Sequence, residues 1–130
     1  MLGMLSLLAL PARAAGAQTA AADTLSTLQG VYSESQARRG EATYQKHCSP
    51  CHTPSGHSGP EFTRPWHGRP LFELYDLIRS TMPQDNPGRL SRAQYAELVA
   101  FLLQLNGLPA GTERLPAEDD RLQRIRFEVR

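Results

Sequence analysis

Cys48-Ser49-Pro50-Cys51-His52 is the stretch on which the reading of this 130-residue chain turns. Its two cysteines are the only two in the sequence. They stand one helical turn apart, with a histidine directly after the second. Cys-x-x-Cys-His is the attachment pattern of a covalently held haem. Two thiols at that spacing can add across the two vinyl groups of one porphyrin, and the next residue then stands under the iron to offer its imidazole. Cys48 and Cys51 are therefore the candidate attachment points of haem c, and His52 is a candidate axial iron ligand. The chain shows no internal repeat, which predicts a single haem.

Two other chemistries use paired cysteines. A structural zinc site needs four ligands, usually with a second Cys or His pair at short spacing, and only scattered single histidines remain here. A redox-active disulfide calls for a strand–helix–strand setting, and no segment alternates with the period of a strand. Haem attachment fits the residues best.

Working outward from the motif, Ser35 is a plausible N-cap for a helix running to about His47. That helix carries Ala37, Gly40 and Tyr44 on one face, and the same spacing continues to Cys48 and Cys51. Residues 53–69 hold three Gly, three Pro and two His without periodicity, the composition of a loop. Pro70 suits the first position of a second helix, with Leu71, Leu74, Tyr75 and Ile78 at i, i+3, i+4 and i+7. Pro83 stops it, and Asn86-Pro87-Gly88 makes a turn. Ser91 followed by Gln94 is a capping box for a third helix, apolar on most of its circumference, ending at Asn106-Gly107. Burial on two sides is expected for it. Residues 18–32 read as a flexible arm. The tail 110–130, with five basic and five acidic residues from Glu113 onward, carries a faint Leu115, Leu122, Ile125, Phe127 spacing. It suits a strap over the surface with a short helix after Pro116.

A haem that only moves electrons needs a second axial ligand. Met1 and Met4 fall in the leader described below, so Met82 is the one methionine left. Pro83 pushes it out of helical geometry into an extended conformation, a good way to aim a thioether at a metal from a loop. Soft sulfur opposite imidazole favours ferrous iron and raises the reduction potential. Met82 as a core gap-filler, and His47, His57 or His67 as ligand in its place, are the competing readings.

The first 17 residues read as a secretory signal: a nearly continuous apolar run from Leu2 to Leu10, then Pro11, then small-x-small sites that place cleavage after residue 14 or 17. An apolar run that short does not cross a hydrocarbon core needing about 20 residues, so no stable membrane insertion is expected after cleavage. The chain has 14 Lys and Arg against 13 Asp and Glu; losing Arg13 with the leader leaves 13 of each. Nothing in that balance suggests nucleic acid or an anionic membrane as partner. The expected location is the periplasm, the exported side on which haem c is attached.

Residues 36–109 resemble class I c-type cytochromes in their small bacterial monohaem form. Gly40-x-x-x-Tyr44-x-x-x-Cys48-x-x-Cys51-His52 is similar to that family's N-terminal helix. The resemblance implies that Gly40 and Tyr44 pack at a near-perpendicular crossing on Leu98 and Phe101 of the last helix. Gly59-Pro60 resembles the family's Gly-Pro, which implies a Pro60 carbonyl accepting a hydrogen bond from His52. Met82-Pro83 looks like the distal ligand motif. The stretch from Met82 to Pro109 is similar to cytochromes serving periplasmic, quinoprotein-type dehydrogenases. Trp66 is a candidate donor to a haem propionate, with Arg64 and Arg69 as alternatives.

The expected architecture is all-α and cytochrome c-like, with three main helices plus loops around one covalent haem. The cytochrome domain is expected over residues 33–109. The expected function is a periplasmic electron carrier without catalytic residues, exchanging single electrons with a dehydrogenase donor and a cytochrome or terminal oxidase acceptor. A cytochrome subunit of a periplasmic dehydrogenase complex is the alternative, and a gas-binding haem protein with an open axial site is a third.

Overall fold

The computed structural model describes residues 24–130; the leader expected over 1–17 and the start of the arm lie outside the described residues. Five helices and one short strand pair follow in the order β1 (Leu25–Ser26), α1 (Glu34–His47), α2 (Pro60–Thr63), α3 (Leu71–Thr81), α4 (Arg92–Leu105), α5 (Asp119–Leu122) and β2 (Ile125–Arg126). The all-α expectation holds: α1, α3 and α4 carry the architecture, and α2 and α5 are single turns.

α1 begins two residues earlier than its sequence suggests. Ser33, not Ser35, is the N-cap, its hydroxyl accepting the Gln36 N–H at 3.3 Å. Two serines two residues apart are equal cap candidates until the chain direction decides between them. The buried face is Gln36, Ala37, Gly40 and Tyr44. α4 opens with the expected capping box: Ser91 accepts from Gln94 N–H, and the Gln94 side chain accepts the Ser91 N–H. Every residue from Tyr95 to Leu103 is buried, as its all-round apolar surface requires.

α1 crosses α4 at Gly40. A Cβ there would lie 1.8 Å from the Glu97 carbonyl oxygen and 3.0 Å from Phe101 Cβ. Only a missing side chain lets the two backbones approach this closely. Tyr44 packs on Phe101 with ring centroids 5.2 Å apart, and Arg39 Nε donates to the largely buried Glu97 carboxylate at 2.7 Å, pinning the crossing at its rim.

The described part of the arm is not loose. Val31 and Tyr32 are buried and Thr27 is fully buried. β1 pairs in parallel with β2, Leu25 opposite Ile125; this two-residue pair is the only sheet among the described residues. The Thr27 hydroxyl donates to the Glu128 carbonyl at 2.7 Å and accepts the Glu128 N–H at 2.8 Å. The Tyr32 hydroxyl donates to the Leu108 carbonyl at 2.6 Å. Gln36 grips both backbone groups of Leu115, Nε2 to its carbonyl at 2.9 Å and Oε1 from its N–H at 2.7 Å. These contacts join chain ends through backbone groups, which leave no apolar pattern to read. The tail is a strap with a short helix after Pro116, and Leu115, Leu122, Ile125 and Phe127 are all buried.

Gly40→Ala forces α1 off α4, because the obstructing atom is a backbone carbonyl with no rotamer to move. A loss of about 3 kcal/mol of stability is expected, measured by denaturant unfolding of the holoprotein.

Candidate functional site

One cleft, about 640 Å³ in volume, gathers Cys48, Cys51, His52, Trp66 and Met82. It lies between the end of α1, the loop after it, α3 and α4. Leu74 and Ile78 of α3 form one apolar wall, and Leu98 and Leu102 of α4 form another.

Local winding delivers the motif. Cys48 is the C-cap of α1, its N–H donating to the Tyr44 carbonyl at 2.8 Å. The Cys48 carbonyl then accepts both Cys51 N–H at 3.1 Å and His52 N–H at 2.9 Å. One further turn thus places both thiols and the imidazole along the cleft. Cys48 is half-buried, and Cys51 is exposed at the rim where the chain leaves the helix. Burial pushes the Cys48 thiol pKa up. The two thiols are free.

Met82 caps the other end of α3, extended at φ −125° and ψ 150°, as the following proline predicts. Its N–H donates to the Ile78 carbonyl at 2.9 Å, and its carbonyl accepts the Tyr95 hydroxyl at 2.7 Å.

The histidines separate by place. His57 lies in the cleft beside His52, ring centroids 4.9 Å apart, and its Nδ1 is held 2.8 Å from the Tyr44 hydroxyl. Burial, then the neighbouring His52, lower its pKa. His47 is at the cleft rim, its Nδ1 2.9 Å from Arg89. Burial and then the charges of Arg89 and Lys46 lower its pKa, against a smaller opposing pull from Asp85. His67 lies outside the cleft, where its Nδ1 accepts the Val129 N–H at 3.3 Å.

Trp66 is half-buried on the cleft wall, with the Arg69 guanidinium 5.0 Å over its ring. Arg69 pairs with Glu73, and exposed Arg64 pairs with Glu61 at 3.6 Å; neither arginine lines the cleft. Pro60 does not line the cleft that holds His52. Gly59, at φ 78°, turns the chain so that Pro60 opens α2, where its carbonyl accepts the Arg64 N–H at 2.9 Å. Pro60 borders a separate shallow groove with His67 and Asn106.

Two supports went unread in the sequence. Asn106, taken as a helix end, also staples the loop after the motif: its Nδ2 donates to the His57 carbonyl at 2.9 Å and its Oδ1 accepts the Gly59 N–H at 3.0 Å. Tyr95, on the buried face of α4, reaches the Met82 carbonyl through its hydroxyl at 2.7 Å. No pattern announces either contact, since each joins residues brought together only by the fold.

The cleft suits a haem. Its volume falls within the roughly 300–1,000 Å³ of cofactor pockets, its walls are apolar, and it presents two thiols beside a nitrogen and a thioether donor, a set haem iron accepts. Among the described residues there is no cluster of three or more His, Cys, Asp or Glu able to hold a metal ion, which a zinc site would need. No helix among them is long and apolar enough to cross a membrane.

Residues 35–102 match the family described as cytochrome C oxidase, cbb3-type, subunit III. The match spans just over half the chain, and the chain belongs to that family of c-type cytochrome domains. It is a class I c-type cytochrome, and a domain of this kind implies covalently bound haem c and electron transfer. No curated protein and no solved structure matches the chain.

Asn106→Ala removes the partners of Gly59 N–H and the His57 carbonyl together. Stability is expected to fall by about 1–3 kcal/mol, with faster hydrogen exchange at the Gly59 amide as the local signature.

Proposed function

We propose that this chain is a periplasmic monohaem cytochrome that carries single electrons between a dehydrogenase donor and a terminal oxidase or cytochrome acceptor. The observation carrying the reading is the convergence of Cys48, Cys51, His52 and Met82 on one apolar cleft. When bound, haem c supplies a one-electron couple.

In this reading Cys48 and Cys51 tether the group through two thioether bonds. His52 and Met82 hold its iron, and the Met82 sulfur favours the reduced state. Leu74, Ile78, Leu98 and Leu102 keep water from the interior face and so keep the local dielectric low. Trp66 is the candidate partner of a propionate. At the mouth of the cleft Cys51 and Pro50 are exposed and Leu77 is 48% exposed, which offers a short apolar edge for electron exchange. The balanced charge of the chain without its leader supports a small, transient, partly apolar contact with partners rather than long-range steering. The apolar run at Leu2–Leu10 and the small-x-small sites after it support export with cleavage.

A second reading is a cytochrome subunit permanently attached to a larger redox complex. The family's description, naming an oxidase subunit, favours it. Size exclusion of the protein from its native extract separates the two: elution at the mass of the free chain supports the carrier, and co-elution with a catalytic subunit supports the complex.

The reading is tested in a host that attaches haem. Intact mass is expected to show one haem per chain, and Cys51→Ala is expected to lose one thioether link and most of the stable holoprotein. Met82→Ala is expected to lower the reduction potential by roughly 0.2 V, within the ~0.8 V range that axial ligands control. It should also let the ferrous protein bind carbon monoxide readily. An unchanged spectrum in Met82→Ala would remove Met82 as ligand, and colourless wild-type protein would end the reading altogether.

A further inference from the structure

Tyr95 and Tyr75 are both buried, 1% and 0% exposed, and their rings meet edge to face with centroids 6.5 Å apart. Their hydroxyls differ. The Tyr75 hydroxyl has no hydrogen-bond partner, whereas the Tyr95 hydroxyl donates to the Met82 carbonyl at 2.7 Å. If Tyr95 only filled the core, phenylalanine would serve better, because a buried hydroxyl loses its water and regains stability only through a partner.

The partner it has is specific. Met82 N–H is already tied to Ile78 in α3 at 2.9 Å, so the Tyr95 bond ties the remaining backbone polar group of Met82 to α4. With both groups held and the backbone extended, the side chain is the one part of Met82 left to move, and Met82 lines the cleft. Pro83 follows, buried and with no N–H of its own to anchor the chain. Residues 84–89 beyond it are exposed. The loop is therefore anchored at its start and open after it, with Tyr95 as the anchor on the α4 side. Tyr95 does not itself line the cleft; it acts through the Met82 backbone.

We propose that Tyr95 is the positioning residue for Met82, its hydroxyl clamping the Met82 carbonyl so that the thioether stays aimed into the cleft. This rests on the reading of Met82 as an iron ligand. Without the clamp the carbonyl is left unpaired, the start of the loop loosens, and the thioether yields its place to competing ligands more often.

The test is an imidazole titration of ferric holoprotein for the wild type, Tyr95→Phe, Tyr75→Phe and Met82→Ala. Tyr95→Phe is expected to bind imidazole about three- to tenfold more tightly than wild type, the change one hydrogen bond accounts for, and to show a weaker iron–sulfur absorption. Tyr75→Phe, which removes a hydroxyl without a partner from the same aromatic pair, is expected to match wild type. Wild-type imidazole affinity in Tyr95→Phe would overturn the proposal, and so would an equal gain in Tyr75→Phe, which would mean general loosening of the core. Met82→Ala keeps the two readings apart. A changed spectrum there with an unchanged Tyr95→Phe refutes the clamp alone, and an unchanged spectrum there refutes the ligand beneath it. Isotope-edited infrared spectroscopy of wild-type protein labelled with carbonyl-¹³C methionine gives a check that needs no variant. A hydrogen-bonded Met82 carbonyl frequency supports the clamp, and a free one overturns it.

Discussion

The contact of α1 with α4 at Gly40 is the constraint from which the rest of the molecule follows. A glycine Cα against the Glu97 carbonyl sets how close the two longest helices come. That closeness brings Tyr44 onto Phe101. Cys48 then lines the same cleft as Leu98 and Leu102, part-buried against the core. Were the helices a side chain further apart, the motif and the wall it faces would not enclose a common space. The crossing is thus part of the site as well as part of the core.

Two aromatic hydroxyls extend this arrangement outward. Tyr44, held on α4 through Phe101, reaches His57 and fixes the loop that follows the motif. Tyr95, at the other end of α4, reaches the Met82 carbonyl at the end of α3. One helix therefore locates both sides of the cleft, through hydroxyl groups carried on rings that are themselves packed in the core. A ring with a polar tip suits this task because it joins burial to a directional bond.

Features set by local chemistry were legible in the sequence. The Cys48–His52 spacing, the Ser91/Gln94 box, the extended Met82 before Pro83 and the apolar circumference of α4 each depend on residues a few positions apart. Features that depend on distant backbone were not. Residues 24–32 look like a loose polar arm until Thr27 meets Glu128 and Tyr32 meets Leu108, and nothing in Thr27 or Glu128 alone encodes the pairing. The choice of Ser33 over Ser35 as cap turns on the path of the incoming chain, which Gly30 and Gly111 set by a backbone approach that leaves a Cβ on Gly111 only 2.0 Å from the Gly30 oxygen.

The chain ends finish what a small core leaves undone. The share of surface a domain buries falls as the domain gets smaller, and here one side of the interior is given over to a cleft. The terminal strap braces the wall of that cleft from behind. Phe127 donates its N–H to the Arg69 carbonyl at 2.9 Å and accepts the Gly68 N–H at 2.8 Å, so the segment directly after Trp66 is bonded to the tail. Thr27 bonds in turn to Glu128, which ties the beginning of the described chain into the same seam. The residues outside the cytochrome-like core therefore act on the site without touching it: they hold the loop that carries Trp66, much as Asn106 holds the loop that carries His57. The loops that carry Trp66 and His57 are thus each fastened to a distant part of the fold.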